Sequence, residues 1–319
     1  MKLEKLYDLY AEGKAPKRLY WELAREKLVP LLEVQQIVRK NPYCKSIEIR
    51  EDGIVLRTQD IALFFDMTQN ICRAETIFVG TEDEEIAFMG RFIPAGATIF
   101  DIGANVGRVS LGLAKAHEDA TIYAFEPVAA TFRDLERNLR LNGEEAHIKA
   151  FHMGFYSESG DLKFFVPGAN EAASLRPITD AYYFKEGDQG QGERREHLEE
   201  VVCPVDTLDH FVKEQGVERI DFVKCDTEGA EKMVFAGGAH VFRELRPVVY
   251  TEMLRKHAAR FDYHPNEIIE MFAGWGYGCY TSESERLLPF EKMDESTVET
   301  NFFFLHREKH RELLEKHSA

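Results

Sequence analysis

The sequence contains few cysteines, and they form no recognisable pattern. There are five in 319 residues, an odd number, and none belongs to a C-x-x-C pair. A disulfide framework and a zinc knuckle both need paired or closely spaced cysteines, so the sequence supports neither. We expect ordinary buried thiols at the five positions, which are Cys44, Cys72, Cys203, Cys225 and Cys279.

Basic residues and long apolar runs are also scarce. The chain has 40 basic and 56 acidic residues, and its formal net charge of −16 disfavours a nucleic-acid partner because it repels phosphates. No run approaches the roughly 18 apolar residues that span a membrane. The N-terminal MKLEKLYDLYAEGKAPKR mixes acids and bases where a signal peptide has an apolar core. These features predict a cytoplasmic protein with no membrane span, and 44% apolar residues are enough for a large enzyme core.

The stretch TIFDIGANVGRVSLGLAKA, residues 98–116, joins an apolar run to a helical pattern. The β-branched and aromatic residues of TIFDI predict a buried strand, and apolar residues recur at helical spacing after it. Gly103 and Gly107 have no side chains where the chain must turn sharply and a ligand could lie against the backbone, and the helix start offers unpaired N–H groups. Asn105 stands where the G-x-G-x-x-G pattern of a dinucleotide site has its second glycine. The spacing therefore disfavours a nicotinamide or flavin cofactor.

Two acids at predicted strand ends indicate which ligand the turn holds. Asp101, just before the turn, would attract an ammonium group and repel a pyrophosphate. Glu126 ends the next predicted strand, in ATIYAFEP, where a carboxylate can accept hydrogen bonds from ribose hydroxyls. A ligand with both a ribose and an amino-acid ammonium is S-adenosylmethionine. The plainer alternative is a tight strand-to-helix connection without a ligand, and the placement of Glu126 makes it less attractive.

The chain divides into two predicted regions. Residues 1–43 carry apolar stripes at helical spacing, and SIEIREDGIVLRTQDIALFFD alternates across Asp52-Gly53, the signature of a β-hairpin. From about residue 81 strands alternate with helices, which predicts a parallel sheet with ligands at its carboxyl edge. We therefore assign residues 1–80 to an accessory region of helices and a β-hairpin, and residues 81–319 to a doubly wound α/β domain.

A second group of acids follows two later strands. Asp226 and Glu228 come after the strand in ERIDFVKCDTEGAEKMVF, whereas Glu252 ends the strand in RPVVYTEMLRKH with His257 five residues beyond. Neighbouring parallel strands bring their carboxyl ends together, so we expect these groups to converge beside the cofactor. Glu228 has a plainer interpretation as helix N-terminal charge, and His257 as an ordinary exposed histidine. The acids also suit a divalent ion, but a metal-free site satisfies them equally and is the expectation.

A long polar connection, residues 166–200, interrupts the alternation of strands and helices. Connections of this length are either disordered or cover a functional site. Its first part contains the candidate substrate-binding residues Asn170, Ser174 and Arg176, for which a plain surface loop is the alternative. We expect this loop and the hairpin to cover the acceptor side of the pocket, since a small-molecule site must exclude water.

Five stretches together resemble the FkbM-type methyltransferases over roughly residues 80–305. They are DIGANVG (101–107), FEP (125–127), VDTLDHF (205–211), IDFVKCDTEGAEKMVFAGG (220–238) and RPVVYTE (246–252). The resemblance implies a Rossmann-like class I methyltransferase fold with S-adenosylmethionine as cofactor. It implies as cofactor-binding residues Glu82, Asp101, Gly103, Ala104, Asn105, Gly107, Glu126, Pro127 and Gly154.

Members of that family mostly methylate hydroxyls of sugars and natural-product intermediates, so the resemblance implies an O-methyltransferase with a small-molecule acceptor. Methylation of nitrogen or carboxylate, and a non-catalytic regulator that binds the cofactor, are the alternatives. We expect the base for the hydroxyl proton among Asp226, Glu228, Glu252 and His257. Glu252 and His257 rank first, and the other two orient the acceptor or help to frame the cofactor. Alternatively, positioning alone suffices and the proton leaves to water.

Overall fold

The computed structural model describes residues 3–14, 16–19, 34–36, 38–65, 81–167, 173–176 and 198–318, together with residues 22 and 25. The strands in these ranges are β1 (Ser46–Arg50), β2 (Gly53–Arg57), β3 (Ala62–Phe65), β4 (Thr98–Ile102), β5 (Thr121–Phe125), β6 (Ile148–Phe151), β7 (Gly154–Phe155), β8 (Gly160–Pro167), β9 (Leu198–Asp206), β10 (Phe222–Cys225), β11 (Val248–Glu252), β12 (Tyr277–Glu283), β13 (Arg286–Phe290) and β14 (Asn301–His306). The helices are α1 (Leu3–Ala11), α2 (Thr81–Gly90), α3 (Arg108–Ala116), α4 (Ala129–Asn142), α5 (Leu208–Glu214), α6 (Glu231–Gly237), α7 (Arg255–Ala259), α8 (Asn266–Gly274) and α9 (Arg311–His317), with a π-helical turn at Val241–Leu245.

An eight-stranded sheet forms the centre of the fold, in the order β13-β12-β14-β11-β10-β4-β5-β6. Strands β11, β10, β4, β5 and β6 are parallel neighbours, whereas β14 runs antiparallel to both β11 and β12. The strand order reverses at β4, with β5 on one side and β10 on the other. Ligands of open α/β sheets bind at the carboxyl ends of the strands at such a reversal. The predicted doubly wound, mostly parallel Rossmann-like fold is confirmed, and its ligand edge lies at the ends of β4 and β10.

Helices cover both faces of this sheet and bury two apolar clusters. One cluster contains Leu111 and Leu135, and the other contains Phe100 and Phe235. All four residues of β10 are buried, as expected for a parallel strand with helices on both sides. The expectation of buried thiols is confirmed for the four cysteines in the described part of the chain. No helix within those ranges combines the length and the apolar character that crossing a membrane requires.

The accessory region forms helical segments and a small antiparallel sheet, as predicted. α1 and the hairpin β1-β2 are present, and β3 pairs with β2 to complete a three-stranded accessory sheet, β1–β3. Apolar side chains of this sheet, among them Leu56 and Leu63, belong to the same buried cluster as Leu135 and Leu139 of α4. The accessory sheet therefore shares a core with the α/β domain.

The hairpin lies elsewhere than over the acceptor side of the pocket. Its turn residue Asp52 forms an ion pair with Arg137 on α4. The Arg137 guanidinium also lies 3.3 Å from the centre of the Phe64 ring on β3. The expectation that this hairpin covers the acceptor side is wrong for its described residues, because their contacts are with α4 and with the core that α4 shares.

A second three-stranded sheet, β7-β9-β8, flanks the carboxyl edge of the central sheet. β8 and β9 pair antiparallel along their length, and the short β7 runs parallel to β9. Residues 173–176, from the predicted substrate loop, join this sheet where Ser174 bridges to Phe165. Asn170, the first candidate in that loop, lies outside the described residues.

Candidate functional site

The turn between β4 and α3 has the geometry that its glycines predict. Gly103, Asn105 and Gly107 all adopt positive φ angles, of 78°, 53° and 89°. A Cβ atom at Gly103 would lie 1.9 Å from the carbonyl oxygen of Asp226, and one at Gly107 would lie 2.6 Å from Cδ1 of Leu135. Side chains are therefore excluded from both glycine positions, and the turn lies directly against the loop that follows β10.

Hydrogen bonds from two neighbouring strands hold this cofactor turn, residues 103–107. The amides of Gly103 and Ala104 both donate to the carbonyl of Phe125, at 3.1 and 2.9 Å. Lys224 Nζ donates to the Gly103 carbonyl at 2.9 Å. The Asn105 amide donates to Glu126 Oε2 at 3.1 Å. The backbone of the turn is thus fixed by the two strands that flank β4.

Asp101 is completely buried beneath the turn and already faces a cation. Its Oδ2 accepts a 2.5 Å hydrogen bond from Ser110, and its Oδ1 lies 3.5 Å from Lys224 Nζ. Burial alone would lower the pKa of Lys224, but the negative charges of Asp101 and Asp226 outweigh it and leave that pKa above its usual value. Asp101 Oδ1 accepts no hydrogen bond from the described residues. Contact of Asp101 with a ligand ammonium stays a prediction, and its charge is in part balanced by Lys224.

Glu126, Pro127 and Gly154 come together at the end of β5. The Glu126 carboxylate, at the strand end, accepts a hydrogen bond from the amide of Val128 at 2.9 Å, besides that of Asn105. A Cβ at Gly154 would lie 3.3 Å from the Pro127 side chain. Burial, and then the negative charge of Glu126, raise the pKa of the nearby Cys203 thiol to about 12. The structure therefore gathers these predicted cofactor residues at one edge, while their individual contacts stay predictions.

Glu82, another predicted cofactor residue, belongs to the helix that precedes β4. It lies in the first turn of α2, and its side chain is outside the described set. The next acid of that helix, Asp83, forms an ion pair with the buried Arg108 at 2.8 Å. The start of α2 is thus fixed to the start of α3, directly after the cofactor turn.

The four predicted catalytic residues converge at the ends of β10 and β11. One potential ligand atom from each of Glu228, Glu252 and His257 lies within 4.8 Å of the other two. His257 Nδ1 is 3.2 Å from Glu228 Oε2. Asp226 lies on the cofactor side of this group, 3.7 Å from Lys224 Nζ. We name Glu228, Glu252 and His257 the acceptor cluster.

Two of the plainer interpretations do not hold. His257 is only 3% exposed, so it is not an ordinary surface histidine. The acid in the first turn of α6 is Glu231, and Glu228 precedes the helix in a left-handed conformation with φ of 56°. Glu228 is therefore placed by its turn against His257, and the helix dipole is served by another residue.

Glu252, in the acceptor cluster, has a strongly raised pKa. Its partial burial, and then the negative charges of Asp226 and Glu228, raise its pKa to about 9. A carboxyl group with this pKa is protonated at neutral pH and can donate a hydrogen bond. Of the two first-ranked candidates for the base, the raised pKa of Glu252 favours His257, and both assignments stay predictions.

Carboxylates and an imidazole at such distances are also chemically suited to a divalent cation. The sequence predicts a metal-free site. His257 Nδ1 faces Glu228 Oε2 at 3.2 Å, which is how a carboxylate orients an imidazole. We interpret the cluster as a proton-accepting site.

Sequence reasoning missed the residues that shape the turn before α6. Glu231 Oε1 accepts hydrogen bonds from the amides of Thr227 and Gly229, at 2.8 and 3.1 Å. The Tyr263 hydroxyl donates to the Gly229 carbonyl at 3.0 Å. The signal for Glu231 was present, because an acid in the first turn that bonds back to preceding amides is the logic of a capping box. Nothing in the local pattern indicated Tyr263, which comes from a distant loop.

Ser174 contacts the acceptor cluster through the Glu228 backbone, whereas Arg176 contacts Ser174 and the Phe261 ring. Ser174 is completely buried and donates a 3.1 Å hydrogen bond to the carbonyl of Glu228. Arg176 is exposed, and its guanidinium lies 5.9 Å from the centre of the Phe261 ring. Ser174 thus supports the Glu228 turn, and substrate contact by either residue stays a prediction.

Comparison with known proteins agrees with this site. A family model described as the methyltransferase FkbM domain matches residues 101–279, more than half of the chain. Methyltransferase sdnD of Sordaria araneosa is 32% identical over an alignment of 159 residues, and the match covers 46% of this chain and 61% of that protein. The 31-O-demethyl-FK506 methyltransferase FkbM of Streptomyces tacrolimicus is 28% identical over an alignment of 156 residues, and the match covers 44% of this chain and 59% of that protein. The matched part of the chain thus spans about three fifths of the length of these relatives.

Among solved structures, the methyltransferase FkbM from Methylobacillus flagellatus KT covers 74% of this chain and 55% of its own, with a TM-score of 0.41 and 15% identity. The family match begins at Asp101 and contains the cofactor turn, Glu126 and the acceptor cluster. The chain belongs to the FkbM family of S-adenosylmethionine-dependent methyltransferases.

Proposed function

We propose that this protein binds S-adenosylmethionine at the ends of β4 and β10 and methylates a hydroxyl group of a small molecule. One observation carries the proposal. The cofactor turn packs against Asp226, and a Cβ atom on Gly103 would lie only 1.9 Å from the Asp226 carbonyl oxygen. The loop after β10, which carries Asp226 and Glu228, therefore lies directly beside the turn.

The residues present fit the cofactor. Asp101 offers a buried oxygen that accepts no hydrogen bond from the described residues, and Glu126 holds a carboxylate at the adjacent strand end. Asp101 would attract the ammonium group, and Glu126 would accept hydrogen bonds from the ribose. When bound, the cofactor supplies a methyl group on an already activated sulfonium.

His257 is the residue to which we assign the proton of the acceptor hydroxyl. A carboxylate on one ring nitrogen fixes the orientation of the imidazole and stabilises the cation that forms when it takes a proton. Glu228 has this position, at 3.2 Å from Nδ1. A positioned base contributes roughly 10² to 10⁴-fold to a proton transfer of this kind.

Glu252 completes the acceptor cluster as a neutral hydrogen-bond donor. With a pKa of about 9 it carries its proton at neutral pH, so it can donate to an oxygen of the acceptor while His257 accepts. The negative charges of Asp226 and Glu228, which help to raise this pKa, repel a carboxylate acceptor. A polyhydroxylated, uncharged acceptor such as a sugar or a glycosylated natural-product intermediate suits this arrangement, and the relative named as a 31-O-demethyl-FK506 methyltransferase supports oxygen as the acceptor atom.

The test is an assay with S-adenosylmethionine that carries an isotopically labelled methyl group. The purified protein is offered panels of sugars and natural-product alcohols, amines and carboxylic acids, and the products are analysed by mass spectrometry. A labelled methyl ether supports the proposal. Labelled methylamines or methyl esters alone would assign the chain to nitrogen or carboxylate acceptors. Cofactor binding without any labelled product from these panels would indicate a non-catalytic regulator.

A further inference from the structure

Asn138, in the third turn of α4, links two parts of the molecule that are distant in sequence. Its side chain is completely buried. Nδ2 donates to the carbonyl of Val106 in the cofactor turn at 2.9 Å, and Oδ1 accepts from the amide of Phe64 in β3 at 2.7 Å. Since Phe64 presents a donor and Val106 an acceptor, only one orientation of the amide satisfies both. Asn138 thus joins the accessory sheet to the cofactor turn.

Val106 occupies the part of the turn that most needs support. It lies between Asn105 and Gly107, which both adopt left-handed conformations with φ of 53° and 89°. A non-glycine residue in this region costs free energy and persists only where its surroundings hold it. Glu126 holds the Asn105 amide from β5, and Lys224 holds the Gly103 carbonyl from β10. Asn138 supplies the third support, from the α4 side.

Asn142, one turn later on α4, provides a natural comparison. It bonds the same accessory sheet, accepting from the Ala62 amide at 2.8 Å and donating to the Ala62 carbonyl at 2.7 Å. It also donates to the backbone carbonyl of Asn138 at 2.7 Å. None of these recorded bonds reaches the cofactor turn. Asn142 therefore shares with Asn138 the attachment of the accessory sheet, but not the support of the turn.

We infer that Asn138 is a positioning residue for the cofactor, and that the accessory sheet β1–β3 sets the shape of the cofactor turn through it. The inference rests on the proposed cofactor site and adds a role for the accessory region. The accessory sheet would then act on cofactor binding through the turn, in addition to any effect on folding.

The test compares three variants, with S-adenosylhomocysteine as the titrated ligand. Asn138→Ala removes both bonds. Asn138→Asp keeps an acceptor for the Phe64 amide but places an oxygen against the Val106 carbonyl, where a donor is needed. Asn142→Ala is the matched control, because it loses bonds to the sheet and leaves the turn untouched. Circular dichroism first establishes a temperature at which all four proteins are folded.

We expect both Asn138 variants to bind S-adenosylhomocysteine on the order of tenfold more weakly than the parent, and Asn142→Ala to stay within about twofold. In turnover assays, the Asn138 variants should raise the KM for the cofactor and keep kcat at saturating cofactor. If both Asn138 variants bind within about twofold of the parent, or if Asn142→Ala weakens binding equally, the inference is wrong. Failure of the parent itself to bind would instead overturn the proposed cofactor site.

Discussion

The two sides of the candidate site treat charge in opposite ways. On the cofactor side, Lys224 lies between Asp101 and Asp226, and Glu126 accepts hydrogen bonds from two backbone amides. On the acceptor side, Glu252 lies near several other carboxylates, and its pKa rises to about 9. A cation that already lies between two carboxylates needs little rearrangement when a ligand binds beside it. Neighbouring carboxyl groups repel one another when ionised, so one of them keeps its proton to a higher pH. The comparison indicates a preformed binding half beside a half suited to proton transfer.

The largest effect should come from the acceptor side. His257→Gln removes the proposed base and should lower kcat by roughly 10² to 10⁴-fold, because the hydroxyl then keeps its proton during attack. Steady-state turnover at saturating cofactor measures it, with binding of S-adenosylhomocysteine as the control for intact folding. A variant that keeps kcat within about threefold of the parent would show that positioning alone suffices.

The next effect concerns the stability that depends on the close packing of the cofactor turn. Gly103→Ala places a Cβ 1.9 Å from the Asp226 carbonyl and should lower the free energy of unfolding by about 2 to 4 kcal/mol. Gly216→Ala is the matched control, because Gly216 also has a positive φ, of 62°, but no atom lies within 4 Å of its Cβ position. Urea denaturation should show a loss for Gly216→Ala of only ~1 kcal/mol. Equal losses in the two variants would mean that the close approach to Asp226 carries no cost.

Replacing Glu126 tests the proposed cofactor-binding side of the site directly. Glu126→Ala removes the carboxylate proposed to hold the ribose and should weaken S-adenosylhomocysteine binding by about 10- to 100-fold, the effect of charge-assisted hydrogen bonds worth ~1.5 to 3 kcal/mol. Titration calorimetry measures this. Because Asn105 and Val128 also lose their acceptor, the thermal unfolding of the variant must be recorded beside its binding. Unchanged affinity would show that Glu126 does not bind the ribose.

The smallest effect on turnover should come from Glu252→Gln. Glutamine resembles the protonated carboxyl group, so kcat near neutral pH should stay within about threefold of the parent. A large loss of kcat would restore Glu252 as a base candidate.

Glu252 should also affect how stability depends on pH. The folded protein retains a proton on Glu252 up to a pKa of about 9, whereas the unfolded chain releases it near the ordinary value of 4.5. The contribution of this group to stability is therefore full below the lower value and is lost as the pH rises toward the higher one. Denaturation at a series of pH values should show a shallower fall in stability for Glu252→Gln, and an identical slope would contradict the raised pKa.

The sequence predicted where the candidate cofactor residues meet, because the signals for that place are local. The glycines, Asp101 and Glu126 follow one strand or the next, and strand ends in a parallel sheet meet by topology alone. The place of Lys224 between two acids depends on register, since Lys224 pairs with Asp101 across β4 and β10. That register cannot be derived from either strand separately.

The burial of His257 and the attachment of the accessory sheet to α4 were not predicted, because both depend on contacts between residues that are distant in the sequence. His257 follows a short loop after β11, and only the packing of α7 shows that it is buried against Glu228. Asn138 and Asn142 look like ordinary polar residues of an amphipathic helix. Their bonds to β3, which place the hairpin on α4, join residues more than 70 positions apart.

We propose that one side of the site binds the cofactor and that the other side takes the proton of the acceptor. Parallel calorimetric titrations of Glu126→Ala and His257→Gln with S-adenosylhomocysteine test this division. We expect Glu126→Ala to bind about 10- to 100-fold more weakly than the parent, and His257→Gln to bind within about twofold of it. Intact binding by Glu126→Ala together with a large loss for His257→Gln would contradict the division of the site.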